Sequence, residues 1–158
     1  MTRTLAHSGS PSVPVELPPS DDVIEVDELR LRCVIGTSHE ERRDCQDVVI
    51  SLQIGTNARP AAVTDCMNAV WNYRTATKAI ITHVESSTYL TVERLASEIA
   101  RIIVGDHMAP WVRVCVHKPG ALQFADSVGL VIYRRPSDFL DAPETQKGAT
   151  LAPKEVNR

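Results

Sequence analysis

Two pairs of alternating apolar runs, one pair on each side of a stretch with helical periodicity, constrain this chain more than any other feature. In the first run Leu29, Leu31, Cys33 and Ile35 alternate with Arg30, Arg32 and Val34, the two-residue period of a half-buried strand, and the strand reads as residues 23–35. The second run, residues 46–58, puts Val48, Ile50, Leu52 and Ile54 on one face. Gly36-Thr37-Ser38 breaks the pattern between them, and the charged string from His39 to Asp44 follows. An antiparallel hairpin is expected, its loop long enough to hold a bulge or a functional excursion. The third run spans residues 111–118, with Val112, Val114 and Val116 set against Arg113, Cys115 and His117. Lys118-Pro119-Gly120 ends it, because proline cannot donate to a central ladder. Residues 127–133 form the fourth run.

Between the strand pairs, residues 60–67 read as a connection with a short helical turn. Ala76, Ala79, Ile80, His83 and Val84 then share one stripe, which predicts a helix over residues 73–85. Thr91 is the expected N-cap of a second helix, whose stripe is Val92, Leu95, Ala96, Ile99 and Ile103, with Gly105 as its stop. The order is ββααββ, and the fold class is α+β: a four-stranded antiparallel sheet with two helices on one face. Strands this long leave edges that invite pairing with another copy of the chain. Seven of the ten prolines lie in residues 1–21 and 136–158, which are expected to be disordered tails around one domain at residues 22–135.

At 158 residues and 43% apolar content the chain can bury a real core. A net charge of −3 gives no basic face for nucleic acid, and 4% aromatic residues give no stacking platform. No run approaches the roughly 20 apolar residues of a membrane helix. The start, MTRTLAHSGS, has no apolar h-region, so a cytoplasmic rather than secreted protein is expected. The four cysteines lack CxxC spacing, and Cys33 and Cys115 are expected as buried thiols within apolar runs. The five histidines lack zinc spacing, so no metal and no cofactor is expected.

Chemistry-bearing residues gather at the ends of elements. Glu93 falls in the first turn of the second helix, where free N–H groups and the helix dipole favour an ionised carboxylate. Plain charge complementarity to the helix explains it equally well. With Tyr89, Leu90 and Val92 around it, a fixed carboxylate also suits a planar ligand with paired N–H donors, such as an aminopyrimidinone. Lys118 ends an apolar strand. It reads either as a solvated strand-end lysine or as a desolvated one able to shuttle protons. Glu41 lies in a charge run that usually marks a solvated loop, and Tyr73 at a helix start often only caps a core. Arg42, Arg43, Arg74 and Lys78 read as surface charges or as the rim of an anion site.

An ordered set of strings adds to this. Leu29-Arg30-Leu31-Arg32, Ile35-Gly36, Glu40-Glu41, Gln46-Asp47, Asn72-Tyr73-Arg74-Thr75, Thr77-Lys78 and His83-Val84-Glu85 come first. Val92-Glu93-Arg94-Leu95-Ala96, Lys118-Pro119-Gly120-Ala121-Leu122 and Ala125-Asp126-Ser127-Val128 follow. Over residues 23–133 the chain resembles the dihydroneopterin aldolase family, and within it the dihydroneopterin triphosphate 2′-epimerases. Asn72-Tyr73-Arg74-Thr75 and Ala125-Asp126-Ser127-Val128 lean to that branch, whereas Pro110-Trp111-Val112-Arg113 and Lys118-Pro119-Gly120 are equally at home in aldolases.

The resemblance implies a tunnelling fold, in which four subunits join their sheets into a barrel and two rings stack as a homo-octamer, with sites between subunits. It implies a pterin substrate whose ring is anchored by Glu93 with backbone near Val92. Lys118 and Glu41 would manage protons, and Tyr73 would come from the adjacent subunit. Arg74 and Lys78, beside Tyr73, are expected to meet a triphosphate. The implied activity is retro-aldol and aldol chemistry on the pterin side chain, epimerising 7,8-dihydroneopterin triphosphate at C2′. The alternatives are aldolase cleavage of 7,8-dihydroneopterin for folate biosynthesis, or a non-catalytic, ring-forming pterin binder.

Overall fold

A computed structural model describes residues 22–140 of the chain. Its sheet follows directly from the alternation. β1 (Asp22–Cys33), β2 (Gln46–Thr56), β3 (Val112–Pro119) and β4 (Ser127–Arg134) form one antiparallel sheet in sequential order. The register lines apolar residues up across it. One rung runs Leu29–Ile50–Val116–Leu130, and the next Val26–Leu52–Val114–Ile132. Because side chains alternate between faces, this pairing gathers every rung onto one side.

Two helices cover that side. α3 (Tyr73–Glu85) buries Ala76, Ile80 and Val84, and α4 (Val92–Arg101) buries Leu95, Ala96, Ile99 and Ala100. These join Leu31, Cys33, Ile35 and the inward residues of β2 and β3 in a single core cluster. Each large aliphatic side chain removed from water there contributes about 1.5–3 kcal/mol. The expected N-cap of α4, Thr91, accepts from Arg94 N at 3.2 Å, and Asn72 caps α3 in the same way, accepting from Thr75 N at 3.0 Å. No helix among the described residues is long and apolar enough to cross a membrane.

Three features depart from expectation. Ile24 and Val26 face inward at even positions but Leu29, Leu31 and Cys33 at odd ones, and the ladder slips between Val26 and Leu29. The slip is a bulge: Glu28 takes a φ of 51°, and its N–H donates to Ser51 Oγ at 3.1 Å. The charged connection after β1 contains a short helix, α1 (His39–Arg43), whereas α2 (Arg59–Thr64) is the short helical turn expected in the later connection. Gly105 does not stop α4. The helix widens into a π-turn over Ile102–Asp106, which buries Ile102, Ile103 and Val104 in succession, more than a 3.6-residue period could turn inward. The left-handed stop falls at Met108, with φ 56°.

The C-terminal boundary also moves. Pro136–Phe139 forms a 3₁₀ turn and Phe139 packs against the core, so the folded unit continues past residue 135, where a disordered tail was expected. Residues 1–21 and 141–158 lie outside the described residues. Cys33 is fully buried, as expected. Cys115, by contrast, is half-buried on the sheet face away from the helices, because it lies out of phase with Val114 and Val116.

Gly55 marks a tight contact at the far end of the sheet. Its N–H donates to the Trp111 carbonyl at 3.1 Å, and a Cβ there would overlap the indole ring. Trp111 is itself buried and stacks on Tyr133 at 5.5 Å between centroids. Gly55→Ala is therefore expected to lower stability by about 1–3 kcal/mol, the usual range for overpacking. Urea unfolding would show this as a lower midpoint at an unchanged slope.

Candidate functional site

The site is assembled around the segment Ile35-Gly36-Thr37-Ser38 at the exit of β1. Ser38 caps α1 and forms a reciprocal box with Glu41: its Oγ accepts from Glu41 N at 3.2 Å, while Glu41 Oε2 accepts from Ser38 N at 3.0 Å. Thr37 N donates to the same oxygen at 3.0 Å. The other carboxylate oxygen, Oε1, accepts from Lys118 Nζ at 2.5 Å. Lys118 also donates to the Ile35 carbonyl at 3.1 Å.

Gly36 makes room for this arrangement. Its φ of 132° disfavours any L side chain, and a Cβ would sit inside the Glu41 carboxylate. Gln46 Nε2 braces the segment from β2, donating to Ile35 O at 2.5 Å and Glu41 O at 3.3 Å.

Lys118 is 7% exposed, so the solvated strand-end reading does not hold. Burial of an ammonium is costly unless it is paired, and here it has a carboxylate and a carbonyl. Two of its three N–H donors are thereby engaged, which leaves one for a ligand. Glu41 likewise is no loose loop charge. The Lys118 ammonium, followed by the Ser38 and Thr37 N–H groups, holds its carboxyl down from 4.5 to about 2.

A carboxyl whose folded pKa lies below its unfolded one stabilises the fold above the unfolded value. That stability is lost as pH falls through the folded value. The Glu41 contribution is therefore complete above about pH 4.5 and drains away toward pH 2. Thermal melts of wild type and Glu41→Gln should converge across that window; a constant gap would mean the carboxylate is not held as described.

The α3–α4 loop reaches the same segment. Gly36 N donates to Tyr89 O at 3.3 Å. Arg42 donates to Tyr89 O at 3.0 Å, to Thr88 O at 2.9 Å and to Gly36 O at 3.4 Å. Arg42 is thus not a free surface charge. Beyond this loop, Val92 and Glu93 open α4. Glu93 is exposed at the helix N-terminus and makes no hydrogen bond or ion pair among the described residues. Tyr89 closes the loop on α3, its hydroxyl 2.9 Å from His83 Nε2, and burial followed by the Glu98 charge pushes the phenol's pKa up. Beneath the site, burial also raises the Cys33 thiol, against a hydrogen bond from Ser87 that lowers it.

A single chain therefore unites Glu41 with Lys118, and ties both through the α3–α4 loop to the helix start bearing Val92 and Glu93. Tyr73, Arg74 and Lys78 are exposed at the start of α3 and make no hydrogen bond or ion pair to Glu41 or Lys118. Gly36 and Gln46 support the site although the sequence reading gave them no role in it, and Arg42, read there as a surface charge or anion rim, braces it through main-chain carbonyls. The signal available was Ser38-x-x-Glu41, a capping-box string that places Glu41 on a helix and not in a loose loop.

Comparison with known proteins agrees with this architecture. A dihydroneopterin triphosphate 2′-epimerase from Pseudomonas aeruginosa is 40% identical over 109 residues, covering 69% of this chain and 89% of that protein. A dihydroneopterin aldolase from Escherichia coli is 30% identical over 113 residues, covering 72% and 93%. The crystal structure of E. coli dihydroneopterin aldolase in complex with neopterin superposes with a TM-score of 0.69 at 30% identity, over 72% of this chain and 98% of that one. The pattern characteristic of dihydroneopterin aldolase matches residues 24–133. With its sheet, helices and most of its length accounted for in this way, the chain belongs to the dihydroneopterin aldolase family.

Proposed function

We propose that the protein is an enzyme that breaks and remakes the C1′–C2′ bond of a dihydroneopterin side chain, acting chiefly as an epimerase on 7,8-dihydroneopterin triphosphate. The observation that carries this is the buried Lys118 ammonium paired with an ionised Glu41 within one subunit. Having given up its proton, the Lys118 amine can take one from a substrate hydroxyl and, as the ammonium again, deliver it to carbon, with Glu41 holding it in place. The greater identity to an epimerase than to an aldolase, 40% against 30%, supports the finer assignment.

The chemistry balances on these groups. Removing the C2′ hydroxyl proton lets that oxygen become an aldehyde carbonyl as the C1′–C2′ bond breaks. The bond's electron pair forms a C1′=C6 double bond, and the pterin's own N5=C6 imine accepts the displaced pair at N5. The substrate is its own electron sink, so Lys118 need not form a Schiff base. A proton delivered to C1′ gives 6-hydroxymethyl-7,8-dihydropterin and a free two-carbon aldehyde. Re-addition to the opposite face of a retained aldehyde gives the C2′ epimer.

Glu93 anchors the amino and amide N–H groups of the pterin, with backbone near Val92. Tyr73 is supplied by an adjacent subunit, and Arg74 and Lys78 accompany it to the triphosphate. This requires the open edges of β1 and β4 to join neighbouring subunits into rings, stacked as an octamer.

The test is to offer 7,8-dihydroneopterin and its triphosphate separately and to resolve neopterin-type from monapterin-type products by chromatography, since the epimers share one mass. Epimer formed chiefly from the triphosphate is expected. Chiefly hydroxymethyl product with aldehyde release would make it an aldolase, and binding without turnover would reduce it to a pterin-binding relative. Gly36→Ala supplies an internal check. Displacing the Glu41 carboxylate should lower turnover roughly tenfold, since even an ångström's misplacement of a catalytic group is costly. Steady-state kinetics on folded protein would show it.

A further inference from the structure

We infer that Arg42 is a positioning residue that fixes the distance between the proton-handling pair and the ring-anchoring helix start; this rests on the function proposed above. The guanidinium is half-buried and bonded to three main-chain carbonyls on two separate segments. One acceptor, Gly36 O, lies in the turn that seats the Glu41 carboxylate. The other two, Thr88 O and Tyr89 O, lie in the loop that leads into Thr91, the N-cap of α4. Tyr89 O receives a second donor from Gly36 N, so the two segments are laced together at adjacent points.

Arg42 itself sits on α1 beside Glu41. Any slip of the α3–α4 loop against α1 would move Glu93 relative to Glu41 and Lys118. The Cys33–Ser87 hydrogen bond ties the same loop to the end of β1, but it reaches neither the Gly36 turn nor α1, which Arg42 alone bridges to the loop by side-chain hydrogen bonds among the described residues. The planar fork of arginine suits the task because it engages several carbonyls at once in a fixed geometry. Lysine carries the same charge but only a point donor on a flexible stem.

A positioning role separates chemistry from binding. The ring is anchored at α4, which Arg42 does not touch, whereas bond cleavage needs ring and proton relay in register. In Arg42→Gln, kcat should fall about tenfold through misalignment, while affinity for neopterin stays close to wild type. The released aldehyde should also escape more often, raising the ratio of cleavage product to epimer. That ratio does not depend on how much of the enzyme is folded, so a merely structural loss would leave it unchanged. Arg42→Lys should behave like Arg42→Gln, because charge alone cannot span the two segments.

Amide hydrogen exchange on the full chain gives a second measurement that needs no turnover. Arg42→Gln should accelerate exchange at Gly36 and across residues 86–91 together and leave the core of α3 protected. Unchanged kcat and product ratio, full rescue by lysine, or exchange that rises in only one of the two segments would overturn the inference. If wild type turns over neither pterin substrate, the proposed function fails, and the exchange experiment alone then decides whether Arg42 couples the two segments.

Discussion

Lys118→Ala is expected to lose roughly 10²- to 10⁴-fold in turnover, the range in which a positioned general acid or base contributes, while the protein remains folded. Folding should survive because the alanine keeps its place in β3 and Glu41 retains the Thr37 and Ser38 N–H groups. The substitution removes the largest cause of the low Glu41 pKa, so that carboxyl should rise toward its ordinary range. The activity loss should therefore come with an altered acid limb of the pH–stability curve, which titration of the variant would reveal. A purified, folded Lys118→Ala enzyme with wild-type turnover would remove Lys118 from the reaction.

Glu93→Ala has the second large expected effect, and it falls on binding. A charged hydrogen bond contributes about 1.5–3 kcal/mol, and each 1.4 kcal/mol is tenfold, so neopterin affinity should drop on the order of 10²-fold. Stability should hardly change. Glu93 is exposed and unpaired among the described residues, and an acidic residue in the first turn of a helix contributes about 0.3–1 kcal/mol through the helix dipole. The contrast separates a ligand anchor from simple charge complementarity, which predicts the small stability loss with no loss of affinity. Pterin fluorescence titration and a melting curve on the same sample decide between them.

Much of this was legible in the chain because the core is built from strict periods. Val112, Val114 and Val116, or Ile80 and Val84, can be buried together only by a strand and a helix respectively, and the sheet order follows from short connections. The bulge at Glu28 was written in the parity change from Ile24 and Val26 to Leu29 and Leu31, but a single extra residue is easily read as noise. The π-turn after α4 has no sequence signature of its own, because three successive buried apolar residues, Ile102 to Val104, fit no regular period.

The site was harder to read for a different reason. Glu41 and Lys118 are 77 positions apart, and what joins them is a glycine backbone and a capping box rather than any local string. Burial of Lys118 in β3 depends on Ile35 and Glu41, which arrive from the exit of β1, two strands away in the sheet. Neither a charge run nor a strand-end lysine can report that arrangement. Arg42 shows the same limit: its partners are carbonyls, which every residue carries, so nothing in its neighbours' identities marks it out.

The central claim is that epimerisation proceeds through cleavage of the C1′–C2′ bond. Its most direct test uses 7,8-dihydroneopterin triphosphate carrying deuterium on C2′. In cleavage and re-addition that deuterium becomes the aldehyde hydrogen and returns with its carbon, so the epimer recovered from ordinary water should keep its label. An epimer that has exchanged the C2′ deuterium for solvent hydrogen would mean inversion by direct removal of that hydrogen, and would contradict the account.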